Sequence, residues 1–217
     1  MKTNLLLPAL SLLVLFSAGC DWHRIRGNGH VVTDQRRVSP FSRVDAGGFY
    51  ELEWHPGAPS CSLTTDENLL SHITTRTEGD QLKIEMERGP LAPSDGIKVV
   101  ITSPSLNQAE LSGAVEFTAS QLSGATFALE TSGAAKVTLS GKVNRLLASL
   151  TGASKLMAAD LPAEVVELSV TGAGKANVTA SNSLRAAITG AGKVTYGGNP
   201  KSVEKKITGA GKIEPRD

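Results

Sequence analysis

Five lysines stand at one fixed place in a repeated phrase: Lys136, Lys155, Lys175, Lys193 and Lys212, each three residues after a glycine. One residue before the repeat glycines stand Ser112, Ser132, Thr151, Thr171, Thr189 and Thr208. A row of ammonium groups beside a row of hydroxyls offers charge attraction and hydrogen bonds to an anionic polymer, such as an acidic glycan, lipopolysaccharide or teichoic acid. The same residues have a simpler use. Lysines keep a repeated strand soluble, and Ser/Thr ladders bond along a stack. Both readings stay open on the sequence.

Other chemistry is harder to find. Thr171-Gly172-Ala173-Gly174-Lys175 brings a phosphate loop to mind, but that loop needs Gly-Lys-Ser/Thr opening a helix. Here Ala176, Val194 and Ile213 follow the lysines. His23, His30, His55 and His72 show no metal-ligand spacing, and no serine sits in a nucleophile elbow. Glu85 and Glu87 are two apart and read as the exposed face of a strand. The expectation is a non-enzymatic chain with no cofactor and no metal. A polysaccharide-active enzyme would need carboxylates clustered in a groove, and it ranks behind a binding module and a self-associating structural scaffold.

The elements that must carry these rows follow from the glycines. Gly113, Gly133, Gly152, Gly172, Gly190 and Gly209 are 20, 19, 20, 18 and 19 residues apart. Two before them stand Leu111, Thr131, Leu150, Val170, Ile188 and Ile207. Four before stand Ala109, Leu129, Ala148, Leu168, Ala186 and Lys205. Four after stand Phe117, Val137, Leu156, Ala176, Val194 and Ile213. Apolar alternation with period 2 on both sides predicts two short strands meeting at a Gly-Ala corner. A fixed period near 19 residues predicts stacked coils in which equivalent strands pair in parallel. The fold class expected is all-β, a single-stranded parallel β-helix.

The [Ser/Thr]-Gly-Ala-x-Lys phrase, the opening Gly27-Asn28-Gly29-His30-Val31-Val32 and the segment Arg37-Val38-Ser39-Pro40-Phe41 resemble the head GIN domain family, which is named for auto-transporter adhesins. The resemblance runs from about Gly27 to Ile213. It implies an exported, right-handed β-helix of adhesin type. The third repeat position departs from Gly early, with Val115, Ala135 and Ser154 preceding Gly174, Gly192 and Gly211.

The rest of the chain sets location and limits. Lys2 followed by the apolar run Leu5–Phe16 reads as a signal peptide over 1–20. Ser17-Ala18-Gly19-Cys20 resembles a lipobox, which would make Cys20 the lipidated first residue and the membrane a partner through that anchor. The location implied is the bacterial cell envelope, on a periplasm-facing or outer membrane. Residues 21–43 read as a polar tether and first strand, and 44–217 as the β-helix, irregular to about 104 and regular over 105–213. A separate small β-domain over 44–104 is the alternative. With Cys20 lipidated, Cys61 has no disulfide partner and reads as a buried filler. A formal net charge of +1 gives no case for nucleic acid as a partner. Pro215 and the flanking charges fit a protected end of the stack, where a homo-oligomer would otherwise form.

Overall fold

The computed structural model describes residues 24–87, 89 and 91–216. The expected signal peptide and lipobox, with Cys20, lie outside the described residues.

The repeat glycines sit one above another. Gly113 registers with Gly133, Gly133 with Gly152, Gly152 with Gly172, Gly172 with Gly190 and Gly190 with Gly209. Every pairing among these coils is parallel, and together they form a β-solenoid of about five turns. In chain order the N-terminal strands are β1 (Ile25–Arg26), β2 (Val31–Arg36), β3 (Arg43–Gly48), β4 (Glu51–Pro56), β5 (Ser60–Asp66), β6 (Ile73–Glu78), β7 (Gln81–Met86), β8 (Leu91–Ala92) and β9 (Lys98–Ser103). The regular coils are built from β10 (Gln108–Gly113), β11 (Glu116–Gly133), β12 (Lys136–Gly152), β13 (Lys155–Gly172) and β14 (Lys175–Gly190). The stack closes with β15 (Lys193–Gly197), β16 (Ser202–Gly209) and β17 (Lys212–Pro215).

The corner requires glycine for two reasons. Its φ is positive, from +92° at Gly113 to +121° at Gly190. Its carbonyl also accepts the N–H of the next coil's alanine, as in Ala134 to Gly113 at 2.9 Å and Ala173 to Gly152 at 2.9 Å. A β-carbon on the glycine above would fall no more than 2.6 Å from that same oxygen.

The apolar columns point inward and are buried from Val44 through Val194, with Ile213 buried in the last turn and Val203 and Ile207 of the end strand β16 exposed. The third repeat position also faces inward, where Val115, Ala135 and Ser154 are buried. Its change to glycine has a packing cause. A β-carbon on Gly192 would meet Val170 Cγ1 at 2.8 Å, and one on Gly211 would meet Ile188 Cγ2 at 2.6 Å. The β-branched residues two before the corner fill the space that the glycines leave. Variation in coil length is absorbed at a second bend, where the register shifts between Ala119 and Leu122 and again between Ala158 and Pro162.

The N-terminal part departs from a simple run of coils. β3, the corner at Gly48 and β4 form a coil in register with β10 and β11. On its other side β3 pairs in parallel with β7, and β4 with β9. The order in space is therefore not the order in the chain. Three further strands run antiparallel: β2 on β5, β5 on β9 and β6 on β7. They cover the outer edges of β7 and β9, which a solenoid made only of parallel rungs would leave free to pair. A 3-10 turn over Glu67–His72 links β5 to β6.

Asp66 pins the lead-in segment to this cap. It is buried, and its carboxylate accepts the Gly29 N–H at 2.7 Å, the Ser94 N–H at 2.8 Å and the Ser94 hydroxyl at 2.7 Å. A β-carbon on Gly27 would collide with that carboxylate. The Gly-Asn-Gly opening is thus a cradle for one charge. Cys61 is buried, and burial pushes its thiol pKa up to about 11, so it is an inert core residue at neutral pH.

Candidate functional site

The lysines form one ladder. Lys136 registers with Lys155, Lys155 with Lys175, Lys175 with Lys193 and Lys193 with Lys212, and all five are exposed. Rungs of a sheet are about 4.8 Å apart. Glu116 heads the ladder and pairs with Lys136 at 2.5 Å. Lys193 pairs with Glu214 at 2.6 Å and holds that carboxyl below its ordinary pKa. Among the described residues, Lys155, Lys175 and Lys212 have no carboxylate within ion-pair reach.

The hydroxyls form a second ladder on the other side of the Gly-Ala corner. Thr151, Thr171, Thr189 and Thr208 continue the line of Ser112 and Ser132, and all are exposed. Between the ladders runs a ridge of exposed alanines, from Ala114 to Ala210. The structure therefore sets lysines and hydroxyls in two parallel lines flanking one edge. No hydrogen bond joins the two lines among the described residues.

That ridge ends on an aromatic. Phe49 follows Gly48 and occupies the alanine place of the corner. Beside it opens a cleft of about 590 Å³, lined by Val31, Phe49, Glu51, Asp95, Lys98 and Glu116 among others. Val31 is 40% exposed and Phe49 37%, and both belong to the few large apolar side chains that face solvent. The Lys98 ammonium is held by Glu53 at 2.9 Å, and this contact keeps the Glu53 carboxyl below its ordinary pKa. Glu116 is held by Lys136. Glu51 and Asp95 have no cation within ion-pair reach among the described residues. The lysine pattern gave no hint of this cleft. Its signal in the sequence was Phe49 itself, a large residue where every regular corner carries alanine.

A second cavity of about 630 Å³ lies across Phe49 and is lined by Asp45, Thr74, Glu85, Met86 and Glu87 among others. Its acids are partly committed, Glu85 to Arg76 at 2.5 Å and Glu87 to His72 at 2.8 Å. Among the described residues no group of three His, Cys, Asp or Glu side chains could hold a metal ion, and no helix is long and apolar enough to cross a membrane.

The family described as "Putative auto-transporter adhesin, head GIN domain" matches residues 40–200. The chain belongs to this family. Solved structures show the same solenoid. A "putative adhesin" from Bacteroides fragilis NCTC 9343 is 20% identical with a TM-score of 0.71, over 88% of this chain and 100% of that one. A "Putative lipid binding protein" from Parabacteroides distasonis ATCC 8503 is 24% identical with a TM-score of 0.58, over 89% and 100%. A "putative adhesin" from Parabacteroides merdae ATCC 43184 is 19% identical with a TM-score of 0.54, over 89% and 99%. At these identities the likeness is one of fold. No curated protein matches the chain. On the shared fold this head GIN domain carries the two ladders and the cleft at their head.

Proposed function

We propose that this head GIN domain is a non-enzymatic, adhesin-like binding module of the bacterial envelope, held to the membrane by a lipid at Cys20 and engaging an anionic polymer along the lysine ladder. One observation carries the reading. Five exposed lysines occupy consecutive rungs, and three of them are not paired to a carboxylate among the described residues. A polymer whose negative charges recur every few ångströms along its length meets a matching row of ammonium groups, with hydroxyl donors across the ridge. The family's adhesin description and the names of its structural relatives support a surface or envelope setting.

The test compares the chain from Asp21, which contains every described element, with the variant in which Lys136, Lys155, Lys175, Lys193 and Lys212 are all glutamine. Both are titrated with acidic and neutral envelope glycans at low and physiological salt. Salt-sensitive binding of the acidic glycans, lost in a variant that keeps its circular dichroism, supports the reading. Equal binding by both proteins, or binding by neither, ends it. The anchor is tested separately by detergent phase partitioning. The full chain is expected in the detergent phase and Cys20→Ser in the aqueous phase.

A further inference from the structure

We propose a second binding site: the cleft at Phe49 takes an ammonium group carried on an apolar stem of about the size of a lysine side chain. The site adjoins the lysine ladder at Glu116, uses none of the five lysines, and has the opposite charge.

Shape is the first ground. A cleft of about 590 Å³ lies within the range of sites that enclose small ligands. Four separate parts of the chain build it: Val31 from β2, Phe49 and Glu51 around the first corner, Asp95 and Lys98 around the start of β9, and Glu116 from β11. β4, β9 and β11 are paired on both sides and β2 is paired along one edge with β5, so these strands frame the cleft before a ligand arrives.

The apolar lining is the second ground. Among the described residues, the large apolar side chains that remain exposed are Val31, Phe49, Val203 and Ile207. The last two belong to the end strand β16. The first two converge on this one cleft, although 18 positions separate them in sequence. Apolar side chains left in water at the mouth of a concave site are a surface that a ligand's stem can cover.

Charge settles the head group. Lys98 and Glu116 are each committed to a partner outside the lining, Glu53 and Lys136. That leaves Glu51, which faces Lys98 on the next rung without closing an ion pair, and Asp95 as the carboxylates with open acceptor positions. An anionic ligand would face two carboxylates, and a purely apolar one would desolvate them with no return. An ammonium donates to both while its stem lies against Val31 and Phe49. Attraction between a cation and an aromatic ring adds to this.

The measurement is heteronuclear NMR titration of the chain from Asp21 with acetyl-Ala-Lys-Ala-amide. The control is acetyl-Ala-norleucine-Ala-amide, which keeps the stem and loses the charge. Shifts are expected at Phe49, Glu51, Asp95 and Lys98 with the lysine peptide only. Glu51→Gln and Asp95→Asn should each weaken binding about tenfold or more, and Phe49→Ala about threefold. A variant with Lys155, Lys175, Lys193 and Lys212 all changed to glutamine, which keeps Lys136 on Glu116, should bind the peptide as the wild type does. n-Pentylamine distinguishes sources: binding as tight as the peptide's assigns a free amine, and binding of the peptide alone assigns a polypeptide side chain. Equal binding of the norleucine control, no binding of either peptide, or affinity unchanged in Glu51→Gln and Asp95→Asn overturns the proposal.

Discussion

The carbonyl oxygen of Gly172 accepts the N–H of Ala191 at 2.8 Å and stands 2.5 Å from where a β-carbon on Gly190 would lie. One oxygen thus makes the rung and excludes a side chain. Gly190→Ala should lose about 2 kcal/mol or more, from the clash and from a φ of +121°. Gly57→Ala, whose new carbon would meet nothing closer than Thr102 Cβ at 3.5 Å, should stay within about 0.5 kcal/mol of wild type. Urea melts of the two variants check the contrast.

Thr131 breaks an apolar column between Leu111 and Leu150. Its hydroxyl is buried and has no hydrogen-bond partner among the described residues. Valine keeps the shape and removes the stranded polar atom. Thr131→Val should therefore raise stability by about 1 kcal/mol. A lower melting temperature in that variant would refute this account of the column.

Lys155 and Lys175 face each other on adjacent rungs without a carboxylate between them. Two ammonium groups 5 Å apart in water repel by about 0.8 kcal/mol. The double variant Lys155→Gln/Lys175→Gln should be more stable than wild type at low salt, by up to about 1 kcal/mol. The gain should vanish near 1 M salt, where screening acts within about 3 Å. Thermal melts across a salt series read the difference directly.

Asp66 responds to acid. The Ser94 N–H and hydroxyl and the Gly29 N–H hold its carboxylate below the ordinary aspartate pKa. A depressed folded pKa gives stability that is fully present above the unfolded value and is lost as pH falls through the folded one. Wild type should therefore weaken as pH drops below about 4, the range of an unfolded aspartate. Asp66→Asn should be less stable at pH 7 and show a flatter profile in that acid range. Denaturant midpoints measured from pH 7 down to pH 2 give both curves.

Lys205 closes the last coil. It stands in register with Ala186 in an inward column, yet its ammonium turns to the Ile213 carbonyl at 3.1 Å and lies 5.0 Å from the centre of the Tyr196 ring. Val203 and Ile207 beside it are 38% and 44% exposed. A charge aimed into an open sheet end discourages pairing with another copy. Lys205→Leu should make sedimentation coefficients rise with concentration, whereas wild type should hold steady over the same range.

The regular coils were readable because each inward column repeats the same chemistry at the same distance from a glycine. Val137, Leu156 and Val194 announce a buried strand without help from any distant residue. The first hundred residues were less legible for a physical reason. Val44-Asp45-Ala46-Gly47-Gly48 shows a corner, but nothing local says that β7 will lie on one side of it and β10 on the other. Nothing next to Asp66 in the sequence marks its role, because its three donors come from residues 28 to 37 positions away. The lysine ladder was visible because it repeats. The cleft was marked by Phe49 alone, because its walls are assembled from segments that share no pattern.

The coil at 43–56 lies between one neighbour later in the chain and another later still. It is a seed with two growing faces. On one face growth stops after a single coil, where the antiparallel strands close it. On the other it continues turn by turn to Pro215, each turn resting only on the one before. Whole turns can therefore be gained or lost at the C-terminal end while the capped end and its cleft stay as they are. Relatives of different reach could share one head, and the length of the ladder is the quantity free to vary between them.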